Sequence, residues 1–287
     1  MARPTSRRRL LGDRLFWAGC GLAFLLIAAP AVSVLISVFH EALPAIGWST
    51  FTQRTVGNSI GLQNAILGSL LLLAGVALVA GSIGIGAGVY LAEFATGRLE
   101  KVLRFFSEVL AGMPSIVIGY IGYVTLVIQF HWGYSLLAAV IALSVLVMPY
   151  IVKTTEVALR QLPTALREGA AGLGMPRSST LGRVLLPAAT PAIMSGLIVA
   201  LAISTGELAP LLFTAGFTDN NPSLQLFHHQ VPYLTNVIFT DLSLPGARAH
   251  ATAAAAGMLS LIILIVLIAL GRLVAGRARR NTALMSL

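Results

Sequence analysis

Glu168–Pro187 reads EGAAGLGMPRSSTLGRVLLP, a long polar segment between two apolar runs of membrane-crossing length. A polar stretch in that setting is a handle by which a partner grips a membrane protein. Its meaning depends on what surrounds it. Of 287 residues, 57% are hydrophobic and 10% charged, and the apolar residues come in unbroken blocks rather than in stripes. Such a composition excludes an ordinary soluble domain.

A helix needs about 20 apolar residues to cross a hydrocarbon layer of roughly 30 Å. Six stretches meet that requirement: Leu15–Phe39, Gly61–Leu91, Val109–Ile128, Tyr134–Val152, Pro191–Phe213 and Ala251–Leu270. They predict an all-α integral membrane domain over residues 15–275, with tails at 1–14 and 276–287.

The net charge of +9 would in isolation suggest nucleic acid, but its placement points to membrane topology. Seventeen of the nineteen basic residues fall in the N-terminal tail, Arg98–Arg104, Lys153–Arg183 and the C-terminal segment, leaving only Arg54 and Arg248 elsewhere. With six spans those four places share one side. The positive-inside rule makes that side, and both termini, cytoplasmic in a multi-pass plasma-membrane protein. No nucleic-acid partner is needed.

The N-terminal SRRRLL resembles a twin-arginine export signal, yet the apolar run continues to Phe39, beyond the 7–15 residues of a signal-peptide core. An uncleaved first helix is expected. The single cysteine, Cys20, leaves no intrachain disulfide and no thiolate cluster.

Some apparent motifs are better read as packing. Gly81, Gly84, Gly86 and Gly88 imitate a phosphate loop, but no strand precedes them and no GK[ST] follows. Gly84 and Gly88 have the spacing of a close helix contact. His228, His229 and His250 lack a spaced cysteine or carboxylate partner for a metal. There is no Gly-x-Ser-x-Gly elbow and no HExxH, so neither catalysis nor a bound cofactor is expected on this chain.

The loop 153–187 reads as a helix, a glycine bend and a second short helix. Thr164 is placed to cap the first helix, Glu168 favours its early turns, and Gly172, Gly174 and Pro176 stop it. Ser178 or Ser179 begins the second, which Pro187 and Pro191 end.

Here a family resemblance enters. Glu168, Ala170, Gly174, nine residues, Val184, one residue, Leu186 and Pro187 resemble the EAA loop of ABC-transporter permeases. Gly169 stands where the family usually has the first alanine, and Val184 where it usually has isoleucine. Gly112–Gly119 (GMPSIVIG), Pro149–Glu156 (PYIVKTTE) and Gly206–Ala215 (GELAPLLFTA) resemble the PstA-type permeases of phosphate importers. The resemblance implies a type I ABC-importer (MetI-like) transmembrane fold. It also implies a PstC-type permease partner, a cytoplasmic ATPase pair that holds ATP and Mg, and an extracytoplasmic phosphate-binding protein. On this reading Ala170, Ala171 and Leu173 pack into the ATPase cleft while Arg167 and Glu168 fix register at its rim. Transport would proceed by rigid tilting of helices, without chemistry on this chain.

Glu207 falls inside the fifth apolar run, where a central carboxylate costs about 2.5–3.5 kcal/mol. With Gly206, Ser204 and Thr205 it forms a candidate pathway or gate. The family often carries an arginine four residues before this glutamate, and here that position is Ile203. A basic residue of the partner permease, or a bracing role for Glu207, would account for the difference; a helix-end carboxylate or a contact with Ser204 or Thr205 is the plainer alternative. The loop 214–250, with Asp219-Asn220-Asn221-Pro222, Phe227 and Val231-Pro232-Tyr233, predicts a folded cap. Docking of the binding protein and sealing against the partner permease both fit it.

Two further function classes remain open from residues alone. A permease for molybdate or sulfate would share the fold. An ion-coupled secondary transporter would use Glu207 as proton carrier and would show inverted repeats or broken helices.

Overall fold

The computed structural model describes residues 7–54 and 60–284, and the described chain is built of helices. In chain order they are α1 (Arg7–Ala45), α2 (Trp48–Thr52), α3 (Gln63–Glu93), α4 (Gly97–Gly112), α5 (Ser115–Gly122), α6 (Leu136–Arg160), α7 (Thr164–Gly172), α8 (Arg177–Thr180), α9 (Leu186–Gly206), α10 (Ala209–Thr214), α11 (Leu234–Ser243) and α12 (Ala247–Leu284). π-helical turns at Tyr123–Gln129 and Leu181–Leu185 extend α5 and join α8 to α9.

Five helices are long and apolar enough to cross a membrane, and the bent α4–α5 pair makes a sixth if counted as one span. The bend corrects the expected span Val109–Ile128. Pro114 forces the preceding residue toward an extended conformation, Met113 adopts φ −74°, ψ 134°, and the two arms meet at 105°. The arm Ser115–Gln129 is left about 22 Å long at helical rise, short of the hydrocarbon layer. Meanwhile α4 turns Glu100 and Arg104 toward α6 and leaves Phe105 and Phe106 exposed, the pattern of a helix lying along a lipid surface.

The first helix also starts earlier than residue 15, at Arg7. Its apolar window is 0% buried, and it meets the rest of the chain through Val38 and Ala42, which pack near Ala254 and Met258 of α12. That contact joins the end of α1 to the start of α12. Both chain ends therefore run toward the same end of the bundle as α7, the basic end.

The core is centred on α6, where Leu143, Val147 and Ile151 pack with Leu72, Val76 and Ala80 of α3 and Ala200 and Leu201 of α9. Glycines set these distances. A Cβ at Gly84 would lie 2.9 Å from Ile151, one at Gly88 2.6 Å from Thr155, and one at Gly196 2.1 Å from Thr154 Oγ1. The expected small-residue seam is thus the contact between α3 and α6, and α9 uses the same device. Gly86 takes no part, as its added Cβ would meet open space.

At the far end, residues 215–233 fold back as a cap, in line with the expectation for 214–250. Ser135 N–H donates to Thr214 O at 3.0 Å, His228 N–H to Trp132 O at 2.9 Å and Val231 N–H to Ala215 O at 3.2 Å. Val231, Tyr233 and Leu234 are buried, so the cap's last segment is part of the core.

Candidate functional site

The loop 153–187 carries a single free-standing helix. Pro163, at φ −54°, ψ 137°, turns the chain into α7 and leaves no side-chain cap, so Thr164 is the first helical residue rather than the cap. Gly174 adopts φ +70°, a conformation that costs other residues roughly 1–2 kcal/mol, and its N–H returns to Ala171 O at 2.9 Å. The stop at Gly172–Pro176 is therefore as expected. The second helix differs: Ser178 and Ser179 lie within α8 after Pro176, and Pro187 and Pro191 do not end it. The π turn Leu181–Leu185 carries the chain straight into α9. The π turn shifts the hydrogen bonding, with Leu186 N–H reaching back to Leu181 O, and Pro187 follows as the second residue of α9.

Within the EAA pattern the side chains divide. Leu173 is 83% exposed, and Glu168, Ala171, Gly174 and Pro187 are exposed too. By contrast Ala170 is buried at 5%, while Val184 and Leu186 are half-buried. Ala170 therefore faces its own chain instead of a partner's cleft. Arg167 also departs from the rim position expected for it. Its Nη2 donates to Glu93 Oε1 at 2.6 Å and to Leu159 O at 2.9 Å, and its Nη1 to Leu162 O at 3.3 Å.

A second set of charges lies beside this one. Glu156 of α6, whose side chain is 4% exposed, accepts from Arg104 of α4 and from Arg160 at 3.0 Å. Glu100 pairs with Arg104 at 3.0 Å and Arg160 at 3.4 Å, and Arg160 also donates to Leu91 O at 3.2 Å. Sequence reasoning did not single out Glu93, Glu100, Arg104, Glu156 or Arg160 as a site. The pairs Glu100/Arg104 and Glu156/Arg160 carry a legible i,i+4 signal, but their meeting across helices does not show in the sequence.

Glu207 is not inside a continuous helix. It is the cap residue after α9, at φ −76°, ψ 133°, and α10 begins two residues later. A continuous helix would drive the Pro210 ring into the carbonyl of Gly206, at a cost of about 3 kcal/mol, so the chain breaks there. Thr235 Oγ1 donates to the Glu207 carbonyl at 3.1 Å. Next to Thr235, Leu234 N–H donates to Ser69 Oγ, six residues into α3, so the break lies toward the cap end of the bundle and not at its centre. Ser204 and Thr205 spend their hydroxyl protons on Ala200 O and Leu201 O, which removes the contact with the Glu207 carboxylate considered above. Among the described residues that carboxylate has no ion pair. Thr205, Gly206, Leu208 and Thr235 line a mainly apolar groove of about 600 Å³ with Phe239 and Leu261, while Ser204 is buried away from it.

Two of the three segments that carry the PstA-type resemblance meet at this break. Gly119 approaches Pro210 so closely that a Cβ would lie 2.8 Å from its Cα, and Tyr120 and Tyr123 pack on Phe213 with ring centroids 6.2 and 6.3 Å apart. The first segment thus clasps the third. Pro149–Glu156 meets the glycines of α3 and α9 and ends at the buried Glu156.

Comparison with known proteins agrees with this architecture. Residues 84–280 match the model of the family "binding-protein-dependent transport system inner membrane component". The phosphate transport system permease protein PstA 2 of Mycobacterium bovis is 44% identical over 279 residues, covering 97% of this chain and 93% of its own. PstA of Pasteurella multocida is 39% identical over 63% of this chain and 66% of its own. Among solved structures, a bacterial alginate ABC transporter in complex with its periplasmic protein gives a TM-score of 0.64 at 15% identity over 92% of this chain and 94% of the matched one. An inward-facing MetNI methionine ABC transporter gives 0.62 at 17% identity, over 76% and 95%. These show the MetI-like transmembrane fold. The chain belongs to the PstA-type permeases of the binding-protein-dependent transport-system inner membrane components.

Proposed function

We propose that this chain is one permease subunit of an ATP-driven importer of inorganic phosphate, providing half of the translocation pathway and coupling to a cytoplasmic ATPase pair through α7. The observation that carries the substrate is identity of 44% along 97% of the chain to a protein named a phosphate transport permease. Support for the coupling role is local. A leucine 83% exposed at the end of a short helix, next to an exposed carboxylate, suits a cleft on a soluble partner better than a lipid surface.

In this reading ATP and Mg belong to the ATPase, and this chain holds neither. The basic end, with both termini, faces the cytoplasm, and the cap faces outward toward a phosphate-binding protein. A PstC-type permease completes the pathway. Support for that partner comes from α1, whose apolar window its own chain leaves uncovered, and from the Glu207 carboxylate, which has no ion pair among the described residues. When ATP closes the ATPase pair, its cleft moves α7, and α9 moves with it through the Gly172–Pro176 turn and the continuous run from α8 into α9. The break at Glu207 is also a feature that an ion-coupled transporter would show, but family membership favours the ATP-driven reading.

The test is uptake of labelled phosphate at submicromolar concentration by cells with and without the gene, challenged by excess sulfate or molybdate. Uptake that depends on the gene, and that only unlabelled phosphate competes away, is expected. Unchanged phosphate uptake with sulfate or molybdate uptake lost would overturn the substrate and keep the fold. Loss on collapse of the proton gradient, with no effect of inactivating the ATPase, would overturn the coupling.

A further inference from the structure

Arg167 and Glu93 stand outside everything the EAA pattern explains. Glu93 is the last residue of α3, where the helix dipole is negative and a carboxylate is misplaced unless a cation compensates it. That cation comes from α7. Leu159, in the last turn of α6, and Leu162, two residues past its end, lend their carbonyls to Arg167, as basic side chains do at helix C-termini. One guanidinium therefore ties α7 to the ends of two spanning helices. Its side chain is 30% exposed and that of Glu93 17%, so the pair is sheltered from solvent. Beyond this tie, the main neighbours of α7 are α8 and the turn Leu181–Leu185, which follow it directly in the chain. Arg160, donating to Leu91 O and pairing with Glu156, fastens the same end of α3 to α6.

We infer that Arg167 is a positioning residue: with Glu93 it carries the movement of α7 to α3 and α6, and the pair stays closed throughout the transport cycle. This rests on the coupling role proposed for α7. The sequence connection through α8 delivers the stroke to α9, and Arg167 delivers it to the other half of the bundle. Removing the guanidinium leaves the exposed docking residues in place but lets α7 move without α3 and α6.

The experiment uses the complete complex in proteoliposomes, this chain with its partner permease, ATPase pair and binding protein, and reads phosphate uptake and ATP hydrolysis together. In Arg167→Ala, hydrolysis should remain within about twofold of wild type while phosphate imported per ATP falls at least fivefold. Arg167→Lys, which keeps a cation able to donate to Glu93 and to the carbonyls, should retain at least half of that ratio. In a Cys20→Ser background, Glu93→Cys/Arg167→Cys joined by a short bis-maleimide should still transport, because the pair does not open. An unchanged ratio in Arg167→Ala overturns the inference, as does equal loss of hydrolysis and uptake. Arrest of transport by the cross-link overturns it too, and shows a contact that must break. Should Arg167→Ala fail to fold, the cross-linked pair still decides. Wild-type vesicles in the same assay keep this separate from the functional reading: if they import no phosphate on ATP, the proposed function itself fails.

Discussion

Two glutamates, Glu156 within α6 and Glu207 at the break after α9, accompany spans that the composition reserves for apolar residues, and they are treated in opposite ways. Glu156 is 4% exposed at the basic end and is met by Arg104 and Arg160. Glu207 sits at a helix break near the far end, half-buried, with its backbone carbonyl satisfied by Thr235 and its carboxylate without an ion pair among the described residues. Both carboxylates oppose burial, since a charge taken out of water must be compensated. One is compensated within the chain and belongs to the architecture. The other has no ion pair among the described residues, and the proposed function gives the task of compensating it to a cation of the partner permease.

Removing Glu156 is the most damaging way to probe this contrast. Glu156→Ala leaves Arg104 and Arg160 with Glu100 as their remaining carboxylate. Breaking a buried pair costs roughly 3–5 kcal/mol, and the partial exposure of Arg104 and Arg160 places this case at or below the low end. Thermal unfolding of the purified protein in lipid nanodiscs should show a clear drop, with Glu156→Gln losing less. A stability equal to wild type would mean that the charges do not hold α4 on α6.

Gly88→Val separates the charges from the packing between the same helices. The new side chain meets Thr155 and the Val152 carbonyl at under 3 Å, and overpacking of that kind costs about 1–3 kcal/mol. The same unfolding measurement should register it, whereas Gly86→Val, toward open space, should change little.

Glu207→Gln sharpens the other side of the comparison. Stability should move by less than about 0.5 kcal/mol, as for substitutions outside packed networks, while phosphate uptake falls at least fivefold. Full uptake would return Glu207 to a simple helix-end carboxylate.

The smallest effect is expected at Asp241 on α11. Burial, and then the neighbouring charge of Asp219, raises its pKa above the ordinary carboxylate value. A carboxyl with a raised folded pKa contributes stability below its unfolded pKa and loses it as pH rises through the folded value. Asp241→Asn should therefore be slightly more stable than wild type at pH 7, and the advantage should vanish near pH 3. A midpoint difference independent of pH would contradict this.

Much of this was legible before any coordinates. Apolar blocks located the spans because every span must exclude polar side chains, and the glycine seam followed from spacing alone. The spaced residues from Glu168 to Pro187 located α7 and its stop at Gly174, since only glycine adopts φ +70° without strain. The errors came where one proline outweighed hydropathy: Pro114 turned a span into a bent pair, and Pro210 moved Glu207 from mid-helix to a break. Pro187 erred in the opposite direction, passing within a helix because a π turn precedes it. The pairing of Arg167 with Glu93 and of Arg104 with Glu156 depends on helices distant in sequence, which periodicity cannot register.

The central claim is that the exposed tip of α7 engages the ATPase, and Leu173→Asp tests it directly because an 83% exposed side chain contributes little to the fold. Co-purification of the ATPase with the tagged permease, alongside phosphate uptake, is the measurement. Loss of both, with the thermal stability of the permease unchanged, is the predicted result; undiminished ATPase capture and uptake would contradict the account.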